Sequence, residues 1–274
     1  MLINCLGNLI DLSTPKVMGI LNLTPNSFYD GGKYQQESEI LKKVEVMLME
    51  GADFIDIGAY SSKPNAEFVS EEEEVNRLLP ILKSVVKEFP KTIISVDTFR
   101  SEIAKASIEN GAAMINDISS GSLDEKMMET VAIRQVPYIM MHMKGKPQTM
   151  MNLTAYEDIV KEMLFYFSEK VAQARSFGIN DLIIDPGFGF AKTTEQNYEV
   201  MQKLQLFKSL ELPILAGVSR KSMIYKPLDS TPEKALNGTT ALNMIALTKG
   251  ASILRVHDVK EAVECVKLFS LMSL

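Results

Sequence analysis

The stretch TIISVDTFRSEIAKASIENGAAMINDI, residues 92–118, carries the fold in miniature. Thr92 to Val96 is a short run rich in β-branched residues, which reads as a strand. It stops at Asp97. A helical pattern then runs to Asn110, with Gly111 where a helix is commonly closed by a left-handed residue. A second apolar run, Ala113 to Ile115, stops at Asn116-Asp117. Strand, polar end, helix and strand make a βαβ unit, and continuous apolar runs are what strands buried on both faces require.

The same rhythm extends in both directions. Strands are expected at Lys16–Leu21, Phe54–Ile57, Pro137–Met141, Leu182–Ile184, Pro213–Ala216 and Ser252–Val256. The matching helices fall at about 37–50, 70–89, 124–134, 156–176, 195–209, 232–248 and 258–271, the second opened by a capping box of Ser70 and Glu73. Eight strand–helix pairs in 274 residues fit one α/β (β/α)₈ TIM barrel over residues 15–274. The alternation is shared with open doubly wound sheets, and eight units favour closure. Ahead of the barrel, residues 1–14 hold a short β-hairpin turning at Gly7-Asn8, placed to close the barrel bottom.

Bulk composition narrows the function classes. A net charge of -6 and a pI near 5.2 argue against nucleic acid as a partner. No stretch is apolar for long enough to span a bilayer, so no membrane association is expected. The N-terminus lacks the basic and apolar segments of a signal peptide, and the two cysteines, Cys5 and Cys265, form no ligand or redox motif. Buried reduced thiols in a cytoplasmic protein are the expectation.

In barrels of this kind the active site lies at the C-terminal ends of the strands. Those ends carry Asn22, Asp56, Asp97, Asn116-Asp117, His142, Asp185, Ser219 to Lys221, and Arg255-Val256-His257. Asp185 offers two acceptors, Asn116 both donates and accepts, and Lys221 adds a cation, a set suited to a flat heterocycle bearing amide and amino groups. Arg255 and His257 alternate along one strand and, with Asn22, suit a phosphate or diphosphate. Magnesium would help, since it takes oxygen ligands and bridges substrate phosphates. Asp56 reads equally as a ligand-facing residue and as a hydrogen-bonding residue of the barrel. His142, among methionines, reads as a packed, hydrogen-bonded core histidine; Met140, Met141, Met143, Met150 and Met151 read as core and rim filler. Glu71 to Glu74 read as a solvated first helical turn that complements the helix dipole. Tyr225 and Lys226 carry no arguable role.

At these residues the chain closely resembles the dihydropteroate synthases. The likeness rests on Gly19-Ile20-Leu21-Asn22-Leu23-Thr24-Pro25-Asn26-Ser27-Phe28-Tyr29-Asp30-Gly31-Gly32, on Asp56-Ile57-Gly58 with Ser61-Ser62-Lys63-Pro64, and on Ser95-Val96-Asp97-Thr98. It continues through Ile115-Asn116-Asp117, Met141-His142-Met143, Asp185-Pro186-Gly187-Phe188-Gly189-Phe190, Ser219-Arg220-Lys221-Ser222 and Arg255-Val256-His257-Asp258. The resemblance implies a transferase of folate synthesis that joins p-aminobenzoate to (7,8-dihydropterin-6-yl)methyl diphosphate, giving 7,8-dihydropteroate and diphosphate. It implies that Asp97, Asn116, Asp185 and Lys221 hold the pterin, and that Asn22, Ser62, Lys63, Arg255 and His257 hold the diphosphate. Asn22 would also bind magnesium (Mg2+). Asp30 would lie near the reacting methylene, and Phe28, Pro64, Phe190 and Ser222 would shape a p-aminobenzoate pocket open to sulfonamides. Asp97, Asp30, Lys221, Arg255 and His257 would carry catalysis, and a homodimer through outer helices is expected.

The chain departs from the family pattern at a few places. Ser62-Lys63 stands where Thr-Arg is common, keeping hydroxyl and charge but losing the bidentate fork. Asn26 stands where many relatives have Asp, Tyr60 where an acid is common, and Ala191 where Gly is frequent. There are two rival readings: a methyltransferase domain acting on methyltetrahydrofolate, which would have no diphosphate to hold, and a non-catalytic pterin-binding paralogue.

Overall fold

Along each barrel strand the side chains alternate between two apolar environments, and that alternation builds the architecture. The computed structural model describes residues 1–23, 33–60 and 69–272. The first elements are β1 (Leu2–Cys5) and β2 (Asn8–Asp11), an antiparallel hairpin. Then come β3 (Lys16–Asn22), α1 (Lys33–Met49), β4 (Phe54–Gly58), α2 (Glu71–Glu88), β5 (Ile93–Asp97), α3 (Ser101–Glu109), β6 (Met114–Asp117) and α4 (Met127–Arg134). The second half holds β7 (Tyr138–Met141), α5 (Ile159–Ser176), β8 (Leu182–Asp185), α6 (Thr194–Gln202), β9 (Leu215–Ala216), α7 (Ser222–Tyr225), α8 (Leu236–Thr248), β10 (Ile253–Val256) and α9 (Val259–Met272). Strands β3 to β10 form one parallel sheet in the order β8-β7-β6-β5-β4-β3-β10-β9. A parallel bridge between Ile184 and Ile214, next to β9, brings its two ends together, so the sheet is the expected TIM barrel.

One set of strand residues, including Val17, Ile55, Val96, Ile115, Ile184 and Val256, packs outward against the helices. The other set, Met18, Phe54, Met114, Ile139, Ile183, Leu215 and Ile253, fills the barrel interior near the strand starts. Ile3, Cys5 and Leu12 join that interior cluster, and the Asn4 backbone N–H donates to Asp181 Oδ2 at 2.9 Å. Period-two alternation also sets the character of the strand ends. Two or four residues further along, the same inward face carries Asn22, Asp56, Asp97, Asn116, Asp185 and Arg255. The barrel is apolar below and polar above.

Local chemistry adjusts several expected boundaries. The hairpin pairs Cys5 with Asn8, so its two-residue turn is Leu6-Gly7, with φ of 50° and 88°, and not Gly7-Asn8. Two positive φ values give a turn whose twist matches the strands. The Ser70 hydroxyl accepts from the Glu73 N–H, but the Glu73 carboxylate pairs with Arg77, so the capping box is half made. Asp124 does not open a helix: its carboxylate accepts from the Ser101 N–H at 2.7 Å and so caps α3 from another element. The expected helix at 195–209 ends at Gln202 and continues as a 3₁₀ segment, Leu204–Leu210. Its apolar residues Leu204, Phe207 and Leu210 are spaced by three, the period of that helix.

Glu74 corrects the expectation of a solvated turn. It is fully buried, accepts from Thr98 Oγ1 at 2.8 Å and pairs with Arg100, tying the start of α2 to the end of β5. Phe54 is fully buried where the hairpin meets the barrel floor. Phe54→Ala should therefore lower the unfolding free energy by about 3–5 kcal/mol, read as a lower urea midpoint with an unchanged slope. A change below about 1 kcal/mol would contradict a packed floor.

Candidate active site

The polar layer is organised around Arg255, which β10 points into the barrel. Its Nε donates to Asp56 Oδ2 at 2.6 Å and its Nη2 donates to Asp97 Oδ2 at 2.9 Å. Asp56 also accepts from Asn116 Nδ2 at 3.1 Å, so three neighbouring strands, β4, β5 and β6, are joined to β10. Asp56 is thus a hydrogen-bonding residue of the barrel. Above this layer opens a cavity lined by Asp97, Asn116, Asp185, Lys221, Arg255 and Phe190, with Ile118, Met141 and Gly217.

The cavity brings together four residues expected to hold a ring: Asp97, Asn116, Asp185 and Lys221. Asn116 and Asp185 are 4% and 5% exposed, so their remaining hydrogen-bonding capacity faces the cavity and not bulk water. Lys221 Nζ donates to the Phe188 carbonyl at 2.6 Å and lies 4.8 Å from the centre of the Phe190 ring. Asn22 and His257 are exposed at the ends of β3 and β10. Ser222 is half-buried at the start of α7. Asn26, Phe28, Asp30, Ser62, Lys63 and Pro64 lie outside the described residues.

The loop after β8 is held from beneath by a residue that sequence reasoning missed. Lys192 is 2% exposed, and its ammonium lies 3.0 Å from the carbonyls of Gly187 and Phe190 and 3.1 Å from His142 Nδ1. A lysine in a loop ordinarily reads as solvated, and no sequence signal marked this one. His142 is 2% exposed and lies edge-on to Tyr166 at 4.9 Å, the packed histidine expected. Gly187 has φ of +68°, and a Cβ there would lie 2.2 Å from the His142 carbonyl oxygen. The loop therefore packs backbone against backbone. Ala191, where relatives often have Gly, sits at φ of 48°, in the left-handed region that explains the glycine. Tyr60 packs edge-on against Phe99 at 5.1 Å and its hydroxyl accepts from Gln148 Nε2 at 2.8 Å. Met141, expected as core and rim filler, lines the cavity from the inward face of β7, and Gly217, just after β9 and without an expected role, leaves the cavity room a side chain would fill.

The polar layer is densely charged. Three carboxylates, Asp56, Asp97 and Asp185, face Arg255 and Lys221, and the buried Lys192 ammonium also acts on Asp185. Burial pushes Asp97 up to about 7, with Arg255 pulling the other way, and burial also raises Asp185. Burial brings Lys221 down to about 8 against the pull of Asp185 and Asp97. A raised native-state carboxyl holds a proton that the unfolded chain has released, so it makes stability fall as pH rises from about 4 to about 7. In Asp97→Asn this contribution disappears. Urea unfolding at several pH values across that window should give a shallower decline for the variant than for the parent, and identical slopes would contradict the raised carboxyl.

The comparisons with known proteins agree with this fold. The model of the family described as pterin binding enzyme matches residues 18–257. The dihydropteroate synthase of Escherichia coli (strain K12) is 42% identical over 264 residues, covering 96% of this chain and 93% of the relative. That of Synechocystis sp. is 43% identical over 255 residues, covering 92% and 88%. Among solved structures, a Yersinia pestis dihydropteroate synthase in a sulfonamide drug complex superposes with a TM-score of 0.93 at 38% identity, covering 100% of this chain and 99% of that one. A Xanthomonas albilineans dihydropteroate synthase with 4-aminobenzoic acid gives 0.92 at 35% identity, covering 99% and 98%. Likeness of this extent, over nearly the whole chain, shows that the chain belongs to the dihydropteroate synthases, within the pterin-binding enzyme family.

Proposed function

We propose that the cavity binds the dihydropterin ring of (7,8-dihydropterin-6-yl)methyl diphosphate, and that the enzyme transfers its methylene to the amine of p-aminobenzoate. The observation that carries this reading is the convergence of Asp97, Asn116, Asp185 and Lys221 on one cavity. A pterin edge offers adjacent amide and amino N–H donors, which suit the Asp185 carboxylate; its Oδ1 already accepts from the Gly187 N–H at 2.7 Å, which leaves acceptor capacity for the ring. Asn116 supplies the matching donor and acceptor, and Lys221 and Asp97 complete the ring contacts. Phe190 and Ser222, with Phe28 and Pro64, would shape the p-aminobenzoate pocket, which para-amino sulfonamides would contest.

The diphosphate would sit on the rim at Asn22, Arg255 and His257, with Ser62 and Lys63. Arg255 gives two of its five N–H donors to Asp56 and Asp97, which leaves three for a substrate oxygen. Magnesium fits as an ion carried by the substrate. Among the described residues no group of three His, Cys, Asp or Glu could hold a metal. Magnesium typically needs only one or two protein oxygens besides phosphate and water. The exposed Asn22 amide oxygen is such a donor, and the ion would neutralise charge on the departing diphosphate.

In the reaction the amine nitrogen of p-aminobenzoate forms a bond to the methylene carbon. The carbon–oxygen bond to diphosphate breaks, its electron pair leaves with the diphosphate, and the nitrogen loses a proton. The amine is a weak nucleophile, so the residues act mainly by stabilising the leaving group and favouring positive charge at the methylene. Arg255 and His257 serve the first role, and Asp97, with Asp30, the second. No covalent enzyme intermediate is required. A homodimer through α8 and α9 belongs to the same reading, because Ile245, Leu268, Leu271 and Met272 are exposed there. So does a cytoplasmic setting, in which the buried thiols of Cys5 and Cys265 stay free.

Mixing both substrates with magnesium should release diphosphate and form dihydropteroate; pterin binding without turnover would favour the non-catalytic paralogue. Arg255→Ala should lower turnover by about 10²–10³. Because it leaves Asp56 and Asp97 buried without their cation, it should also lower stability by about 3–5 kcal/mol. Near-normal turnover by a folded variant would remove Arg255 from the mechanism.

A further inference from the structure

His257 is held by a residue to which no role has been given. Ser219 lies just after β9, is 4% exposed, and touches His257 twice. The His257 backbone N–H donates to Ser219 Oγ at 3.1 Å, and the same oxygen lies 3.0 Å from His257 Nδ1. The first bond has one direction only, since a backbone N–H cannot accept. The second depends on where the hydroxyl proton goes. A buried hydroxyl needs an acceptor for its proton. Among the described residues, the acceptor within reach of Ser219 is Nδ1.

We propose that Ser219 is a positioning residue that fixes His257 as the neutral tautomer protonated on Nε2, so that the ring presents an N–H donor to the diphosphate. The hydroxyl donates to Nδ1, which therefore carries its lone pair, and the ring proton resides on Nε2 at the exposed rim. The surroundings keep the ring neutral. Partial desolvation disfavours an imidazolium, as do Arg255, Arg220 and Lys43; Asp258 opposes them. Asp258 is itself engaged by Arg220, whose Nε and Nη2 donate to it at 3.0 and 2.5 Å. His257 is thus a hydrogen-bond donor, not a proton donor, and the leaving diphosphate takes no proton from it. The functional half of this proposal rests on the diphosphate reading above; the tautomer does not.

The chain contains two histidines, so imidazole nitrogen NMR of the labelled protein is readily assigned by comparison with His257→Asn. The parent should show His257 with an unprotonated Nδ1 and a protonated Nε2. In Ser219→Ala the ring should move toward a mixture of tautomers, and kcat/KM for the pterin diphosphate should fall about 3–10-fold, the effect of one ordinary hydrogen bond. Ser219→Thr keeps the hydroxyl and should restore both. An Nδ1–H tautomer in the parent, or an unchanged ring in a folded Ser219→Ala, would overturn the proposal. The parent spectrum needs neither a variant nor turnover. Inorganic diphosphate with magnesium should shift the Nε2 signal, and an unmoved signal with the expected tautomer would overturn the donor role alone.

Discussion

The Arg255 guanidinium held between Asp56 and Asp97 is the constraint on which the site depends. Strand β10 is separated from β4 by β3, so the side chain must reach across the barrel interior to touch both carboxylates. Asp56 is fully buried, and the Asp97 and Arg255 side chains are only 17% and 16% exposed. Buried ion pairs of this kind seldom add net stability over a packed apolar core, because desolvation offsets the attraction. What the arrangement supplies is a fixed array of buried hydrogen-bonding groups, and the perturbed titration of Asp97 and Lys221 is the signature of that burial.

The rest of the barrel serves to keep this layer in register. The apolar floor, from Met18 through Phe54 to Ile253, fixes the lower half of every strand and excludes water beneath the polar residues. Outside, the helices bury the opposite parity of the same strands. The loop after β8, which brings Phe190 to the cavity, is pinned by Lys192 against its own carbonyls and against His142. Burial brings the Lys192 ammonium down to about 7, and that cost is offset by three hydrogen-bonding partners. Preorganisation by such fixed contacts is what lets a polar site act at the moment charge develops.

Much of this was legible in the sequence, for a definite reason. Buried parallel strands are short apolar runs that end on polar residues, so period and punctuation together disclosed the barrel and the rim of Asp97, Asn116, Asp185, Lys221 and Arg255. The inward parity of Arg255 came from alternation, but its carboxylate partners did not, because only closure brings β10 opposite β4 and β5. Glu74 and Lys192 escaped notice because a charged residue in a helix start or a loop carries no mark of burial; their partners come from the segment after β5 and from the loops after β7 and β8. The turn at Leu6-Gly7 and the 3₁₀ segment after α6 hinge on single-residue register, the feature least readable from composition. Residue chemistry divided the rim into a ring half and an anion half, and the resemblance carried what pattern could not, the identity of the ring as a pterin and of the second substrate as p-aminobenzoate.

That division is the central claim, and it is tested most directly by a crystal structure of the protein soaked with a pterin and diphosphate in the presence of magnesium. The account predicts the ring in the barrel mouth, its donors on Asp185 and its plane beside Asn116 and Lys221. The diphosphate should lie on the rim against Asn22, Arg255 and the Nε2 side of His257. A pterin bound elsewhere, or a diphosphate that leaves Arg255 and His257 untouched, would contradict it.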